Sequence, residues 1–120
     1  MPSILVVEDN AAIRESLGEL LSAEGYGVEL APDGRAACDV LAQGSAPCTI
    51  LLDLMMPVMD GWEFLEWKAR SDYRDVPVVV LTALDVAGDV EGLAGRYGCE
   101  VVSKTGAVPD LLRRVARRCC

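Results

Sequence analysis

The chain has 120 residues, enough for one domain around a single core, and 52% of them are hydrophobic. Its net charge is −8 and it contains no histidine, which excludes Ser-His-Asp and Cys-His catalysis, histidine-ligated metals and a phosphohistidine carrier, and does not suit a direct nucleic-acid binder. No apolar run reaches the ~18 residues of a membrane span, and no basic stretch leads into an apolar segment at the N-terminus, so a soluble cytoplasmic protein without membrane contact is expected.

Ile4 to Val7 is an apolar, β-branched run and reads as the first strand, followed at once by Glu8-Asp9-Asn10. Asn10 is a good N-cap. Ile13, Leu17, Leu20 and Leu21 recur at helical spacing and predict one buried face of an amphipathic helix that stops at Gly25. Val28-Glu29-Leu30 alternates apolar and polar, so the second strand is half exposed and belongs at an edge. Pro32-Asp33-Gly34 is a turn and cap, and Ala37, Val40 and Leu41 mark a short helix ending near Gly44.

Ser45-Ala46-Pro47 precedes the run Ile50-Leu51-Leu52, which ends in Asp53, with Pro57 and Asp60-Gly61 beyond. A short apolar run between turn signals fits a strand buried on both faces. Two readings of Asp53 stand. It starts an Asx-turn, or it is a carboxylate at the mouth of a buried strand, where ligands bind in open α/β sheets. A third helix begins near Asp60-Gly61 and carries Trp62, Phe64, Leu65 and Trp67, the tryptophans packing with one edge wet.

Val78 to Leu81 predicts a buried fourth strand ending in Thr82. Residues 85–97 predict a fourth helix weakened by Gly88, Gly92 and Gly95, each costing about 0.8–1 kcal/mol against alanine. Val101-Val102 is a short fifth strand before Ser103-Lys104, and Pro109 suits the first turn of a fifth helix with Leu111, Leu112 and Val115 inward. Five strands alternating with five helices predict a doubly wound α/β domain with a parallel sheet.

Five cysteines (Cys38, Cys48, Cys99, Cys119 and Cys120) form no C-x-x-C pair, and their odd number speaks against a disulfide framework. Cys38 and Cys48 read as small core residues, and Cys119-Cys120 as a solvated tail. All 19 acidic residues lie at or before Asp110, whereas Arg113, Arg114, Arg117 and Arg118 crowd the last helix. Cations suit a helix C-terminus; a partner surface is the sharper reading.

In a parallel sheet every strand points its carboxyl end to one edge. Glu8, Asp9, Asp53, Thr82 and Lys104 therefore converge there. Three carboxylates within a few ångströms repel one another unless a cation sits between them, and Mg²⁺ is the natural occupant of an all-oxygen site. A carboxylate can itself attack phosphorus and form an aspartyl phosphate. Lys104 and the metal would neutralise charge on the transferring group, and Thr82 would donate a hydrogen bond to it.

Glu8-Asp9, Asp53, Met56-Pro57, Met59-Asp60-Gly61, Thr82-Ala83 and Lys104 together resemble the receiver domain of bacterial two-component response regulators, over essentially residues 1–120. The resemblance implies a flavodoxin-like fold with strand order 2-1-3-4-5. It implies that Asp53 accepts a phosphoryl group from a histidine kinase or phosphotransfer protein. It also implies that Asp9, Asp53 and the Met55 carbonyl bind Mg²⁺ directly, with Glu8 acting through water. Thr82 would sense the phosphoryl group and Lys104 would pair with it.

Departures from the family pattern are Thr105 where proline usually follows the lysine, Val101 in place of an aromatic ring, and apolar Met55 and Leu84 at positions that influence phosphoryl lifetime. The resulting expectation is a phosphorylation-controlled signalling switch without an attached output domain, not an enzyme beyond slow self-dephosphorylation. It would bind a downstream protein through the fourth helix, fifth strand and fifth helix. Alternatives are an unphosphorylated adaptor, a receiver piece of a hybrid histidine kinase or larger regulator, and a small Mg²⁺-dependent phosphatase. That last class generally wants a second acid two residues after the nucleophile, where Met55 stands.

Overall fold

The computed structural model describes residues 2–54, 56–82, 92, 95–103 and 108–119, with Thr82, Ser103, Val108, Arg118 and Cys119 described by backbone alone. The elements run β1 (Ser3–Val7), α1 (Ala11–Ala23), β2 (Gly27–Ala31), α2 (Gly34–Ala42), β3 (Thr49–Asp53), α3 (Gly61–Ala69), β4 (Val78–Thr82), β5 (Glu100–Ser103) and α4 (Val108–Cys119). The helix expected over 85–97 lies mostly outside the described residues; those that are described there, 92 and 95–97, are helical. The last helix therefore carries the label α4.

All pairings are parallel and the order is β2-β1-β3-β4-β5. The period of two along each strand splits the core between the two faces of the sheet. Leu5, Val7, Ile50, Leu52, Val78 and Val80 face α2 and α3 and pack with Ala37, Leu41, Phe64 and Leu65. Ile4, Val6, Leu51, Val79, Leu81 and Val102 point the other way and pack with Leu21 of α1 and with Leu111 and Val115 of α4. Central strands buried on both faces read as unbroken apolar runs for this reason.

Local signals start and stop the helices. Asn10 Oδ1 accepts from the Ile13 N–H at 3.1 Å, and Asp33 Oδ1 from the Ala36 N–H at 2.8 Å. Asp60 and Glu63 form a reciprocal capping box at α3, a D-x-x-E spacing visible in the sequence. Past α1, Gly25 takes φ +95°, where a side chain would be strained.

Two expectations need correction, and the ends of the last helix are placed as well. The inner face of α1 is not the whole stripe: Gly18 and Leu21 are buried, while Ile13 is 37% exposed. At Gly18 an added Cβ would stand 3.3 Å from Leu30 Cδ2, so the helix is seated closely on β2. Cys48 is only half-buried and is disulfide-bonded; Cys38 and Cys99 are buried thiols outside any disulfide. The C-terminal arginines are engaged within the chain: Arg113 and Arg114 pair with Asp110 at 3.4 and 3.1 Å, and Arg114 and Arg117 reach Glu100 of β5 at 3.8 and 3.5 Å.

Candidate functional site

The site sits at the carboxyl edge of the two central strands. Val7 of β1 is in register with Leu52 of β3, so the next residues along each chain, Glu8 and Asp53, lie side by side as the strands end. Glu8 is 2% and Asp53 5% exposed, whereas Asp9 is open to solvent. One carboxylate oxygen from each of Glu8, Asp9 and Asp53 lies within 4.8 Å of the others. The structure thus brings the three acids together.

The backbone around them is held from several directions. The Glu8 N–H donates to the Ala31 carbonyl at 3.0 Å, which ties the end of β1 to β2. The Arg14 guanidinium donates to the carbonyls of Glu8 at 2.8 Å and Asp9 at 3.3 Å, both in the segment before α1. Arg14 is a positioning residue that sequence reasoning missed, although a basic residue in the first turn of α1 is its only signal.

The loop from β3 to α3 is shaped by two glycines and one strained residue. Gly61 donates to the Leu54 carbonyl at 2.9 Å, and a Cβ there would stand 2.7 Å from the Asp53 carbonyl oxygen and Leu54 Cα. Gly34 donates to the Met59 carbonyl at 3.0 Å and a Cβ there would meet that oxygen at 2.8 Å. Val58 has φ +68° and is 75% exposed, at the centre of a three-residue turn closed by the Met59 N–H on the Pro57 carbonyl at 2.7 Å. A β-branched residue in that conformation is strained, and such strain gathers beside functional sites. Below the loop, Met59 Sδ rests 3.8 Å from Cys38 Sγ, and burial pushes the Cys38 thiol up to about 11.

Asp53 is in register with Leu81, so Thr82 follows at the same edge, and Thr82 is itself in register with Ser103. The Thr82 side chain and all of Met55 and Lys104 fall outside the described residues, as does the Lys104-Thr105 peptide. The donor set that is described, three hard carboxylate oxygens converging on one point, suits a divalent cation of the Mg²⁺ kind and no soft metal.

A five-stranded parallel sheet of this order, with acids clustered where the central strands end, defines an open α/β domain with a polar site at the carboxyl edge of its sheet. The family model of the response regulator receiver domain matches residues 4–116, and the chain belongs to that family. It is 46% identical over 113 residues to the response regulator MprA of Mycolicibacterium vanbaalenii, covering 93% of this chain and 48% of that one. The chain therefore spans about half the length of the curated relatives it matches. Among solved structures it resembles the receiver domain of the Francisella response regulator 1452 (27% identity, TM-score 0.86, covering 98% of this chain and 96% of the other). It also resembles the receiver domain of a histidine kinase from Syntrophus aciditrophicus (32%, TM-score 0.86, 98% and 89%). A third is the response regulator TrrA of Thermotoga maritima, solved in complex with Mg²⁺ and BeF (29%, TM-score 0.85, 98% and 99%). The chain is thus a receiver domain of two-component signalling, with no membrane-length apolar helix among the described residues.

Proposed function

We propose that residues 1–120 work as a phosphorylation-controlled switch whose acceptor is Asp53. An Asp53 carboxylate oxygen attacks the phosphorus of a phosphohistidine on a histidine kinase or phosphotransfer protein. The new O–P bond forms as the P–N bond breaks, and the imidazole leaves with the bonding electrons and takes up a proton. The observation that carries this reading is the convergence of Glu8, Asp9 and Asp53 within 4.8 Å at the ends of β1 and β3. Asp9, Asp53 and the Met55 carbonyl would hold Mg²⁺ directly and Glu8 through water. Bound there, the ion supplies charge neutralisation for the acids and the incoming phosphoryl group.

Near-complete burial of Asp53 limits water around the acceptor oxygen, while exposed Asp9 leaves the mouth open to a donor. Arg14 keeps the Glu8-Asp9 backbone in place. Thr82 would hydrogen-bond the phosphoryl group and Lys104 would pair with it. Output is protein binding in the cytoplasm through the 85–97 segment, β5 and α4, with no direct contact to nucleic acid. The length of the MprA relatives favours a second setting for the same chemistry, in which this receiver works within a larger regulator.

Beryllofluoride with Mg²⁺ is the test. It should perturb the amide spectrum of residues 8–9, 53–61 and 81–82 in the wild type and leave Asp53→Asn unchanged. Equal responses would remove Asp53 as acceptor, and no response in either would favour the unphosphorylated adaptor.

A further inference from the structure

A second polar cleft lies away from the acidic pocket, between the C-terminal turn of α3, the α3–β4 connection and the residues just before β5. It has a volume of about 210 Å³, and Lys68, Arg74, Asp75, Arg96 and Tyr97 line it.

Lys68 is the informative residue. It is a lysine in a helix, 6% exposed, packed among core residues. Buried ammonium groups are rare and costly unless their donors are engaged. The Lys68 ammonium donates to the Arg74 carbonyl at 2.9 Å, one neutral acceptor among the described residues for a group with three donors. Burial pushes its pKa down, and nearby Asp75 offsets part of that. The bond to the Arg74 carbonyl ties α3 to the α3–β4 connection and leaves ammonium capacity facing the cleft that Lys68 lines.

The surrounding charges repeat the theme. Among the described residues, three cationic side chains line the cleft with one acid, Asp75, and a second acid, Glu66, stands behind Arg96, in a chain whose net charge is −8. The guanidinium of Arg96 lies 5.3 Å from the Tyr97 ring centroid and 3.8 Å from Glu66. The Tyr97 hydroxyl donates to Glu66 Oε2 at 2.9 Å, so both side chains at this wall are fixed in position by α3. A buried ammonium at the floor and two guanidinium side chains at the rim make a concave, positively charged seat.

We propose that this cleft is a binding site for a small oxyanion carrying two or more negative charges. The Lys68 ammonium would meet it at the floor, with Arg74 and Arg96 beside it at the rim, in charge-assisted hydrogen bonds. A tetrahedral oxyanion with its remaining waters fits the volume. Asp75 is the group that competes for the cations when the anion leaves. The site is independent of Asp53, which lies at the opposite, carboxyl end of the strands.

Inorganic phosphate is the probe, titrated into the metal-free protein at constant ionic strength with chloride as balance, and read by amide chemical shifts. Sulfate and succinate arms separate a tetrahedral ligand from a dicarboxylate. Saturable shifts confined to residues 65–75 and 96–97 are expected. Lys68→Met should weaken binding by about tenfold or more, and Arg96→Gln, an exposed site where folding is not at risk, by severalfold. Asp75→Asn should tighten it. Asp53→Asn should bind as the wild type does. Shifts that never saturate, that chloride reproduces, or that persist at equal affinity in both Lys68→Met and Arg96→Gln would overturn the proposal.

Discussion

Replacing Gly61 by alanine tests whether the loop below the acidic pocket is held by close backbone packing. The added Cβ would stand 2.7 Å from the Asp53 carbonyl oxygen and Leu54 Cα, and 2.9 Å from Leu54 Cδ2. That is about 0.7 Å short of ordinary van der Waals contact, and two of the three atoms are backbone, which cannot swing aside. The start of α3 must back away from the end of β3, which stretches the Gly61 N–H bond to the Leu54 carbonyl, now 2.9 Å. Overpacking costs about 1–3 kcal/mol and the weakened hydrogen bond about 1, while alanine in place of a helical glycine returns about 1. The net expectation is a loss of about 1–3 kcal/mol by urea denaturation, with weaker Mg²⁺ binding because Asp53 moves. Gly95→Ala is the control: its Cβ would meet no described atom within 4 Å, so it should gain up to about 1 kcal/mol. If Gly61→Ala is as stable as the wild type, or gains like Gly95→Ala, the close-packing account is wrong.

Other outcomes follow from the same geometry. Asp53→Asn should take no label from a small phosphodonor; label at the wild-type rate would refute the acceptor assignment. Asp9→Ala should weaken Mg²⁺ binding strongly and Glu8→Ala less, which a Mg²⁺ titration of the three proteins reads directly. Met55→Asn with Leu84→Glu should shorten the phosphoryl lifetime, since neither native side chain can orient an attacking water; an unchanged decay rate would remove that reasoning. Burial, with Asp39 adding, pushes the Cys38 thiol up to about 11 from 9.0. The unfolded thiol therefore ionises first, so this contribution to stability is intact below pH 9 and is lost as pH rises toward 11. Urea midpoints across that range should fall more steeply for the wild type than for Cys38→Ala.

Strand and helix identity was legible because it is local. Apolar runs at Ile4–Val7 and Ile50–Leu52 mark strands buried on both faces, and Asn10, Asp33 and Asp60 cap helices by bonds that span three residues. The clustering of Glu8, Asp9 and Asp53 was legible one level up, since parallel strands must end at one edge. The relative of Lys104 to that cluster lies outside the described residues and rests on the sequence alone.

Other features depend on what distant segments do to one another. No spacing says that Ile13 stays at the surface while Gly18 is buried; the seating of α1 on Leu30 decides it. Gly34 and Gly61 are ordinary helix-start glycines until Met59 and Asp53 approach them. The arginines near the C-terminus read as cations suited to a helix end or a partner surface, and Glu100 and Asp110 engage them once β5 and α4 pack. Lys68 falls among helical residues of mixed polarity, and only the closing of the α3–β4 connection over it buries its charge. The sequence by itself determined the elements, their order and the three acids, because backbone propensity and strand direction act within a few residues. Tertiary structure alone decided which glycines sit against other backbone and which charges are buried or paired, because those depend on contacts between segments far apart in the chain.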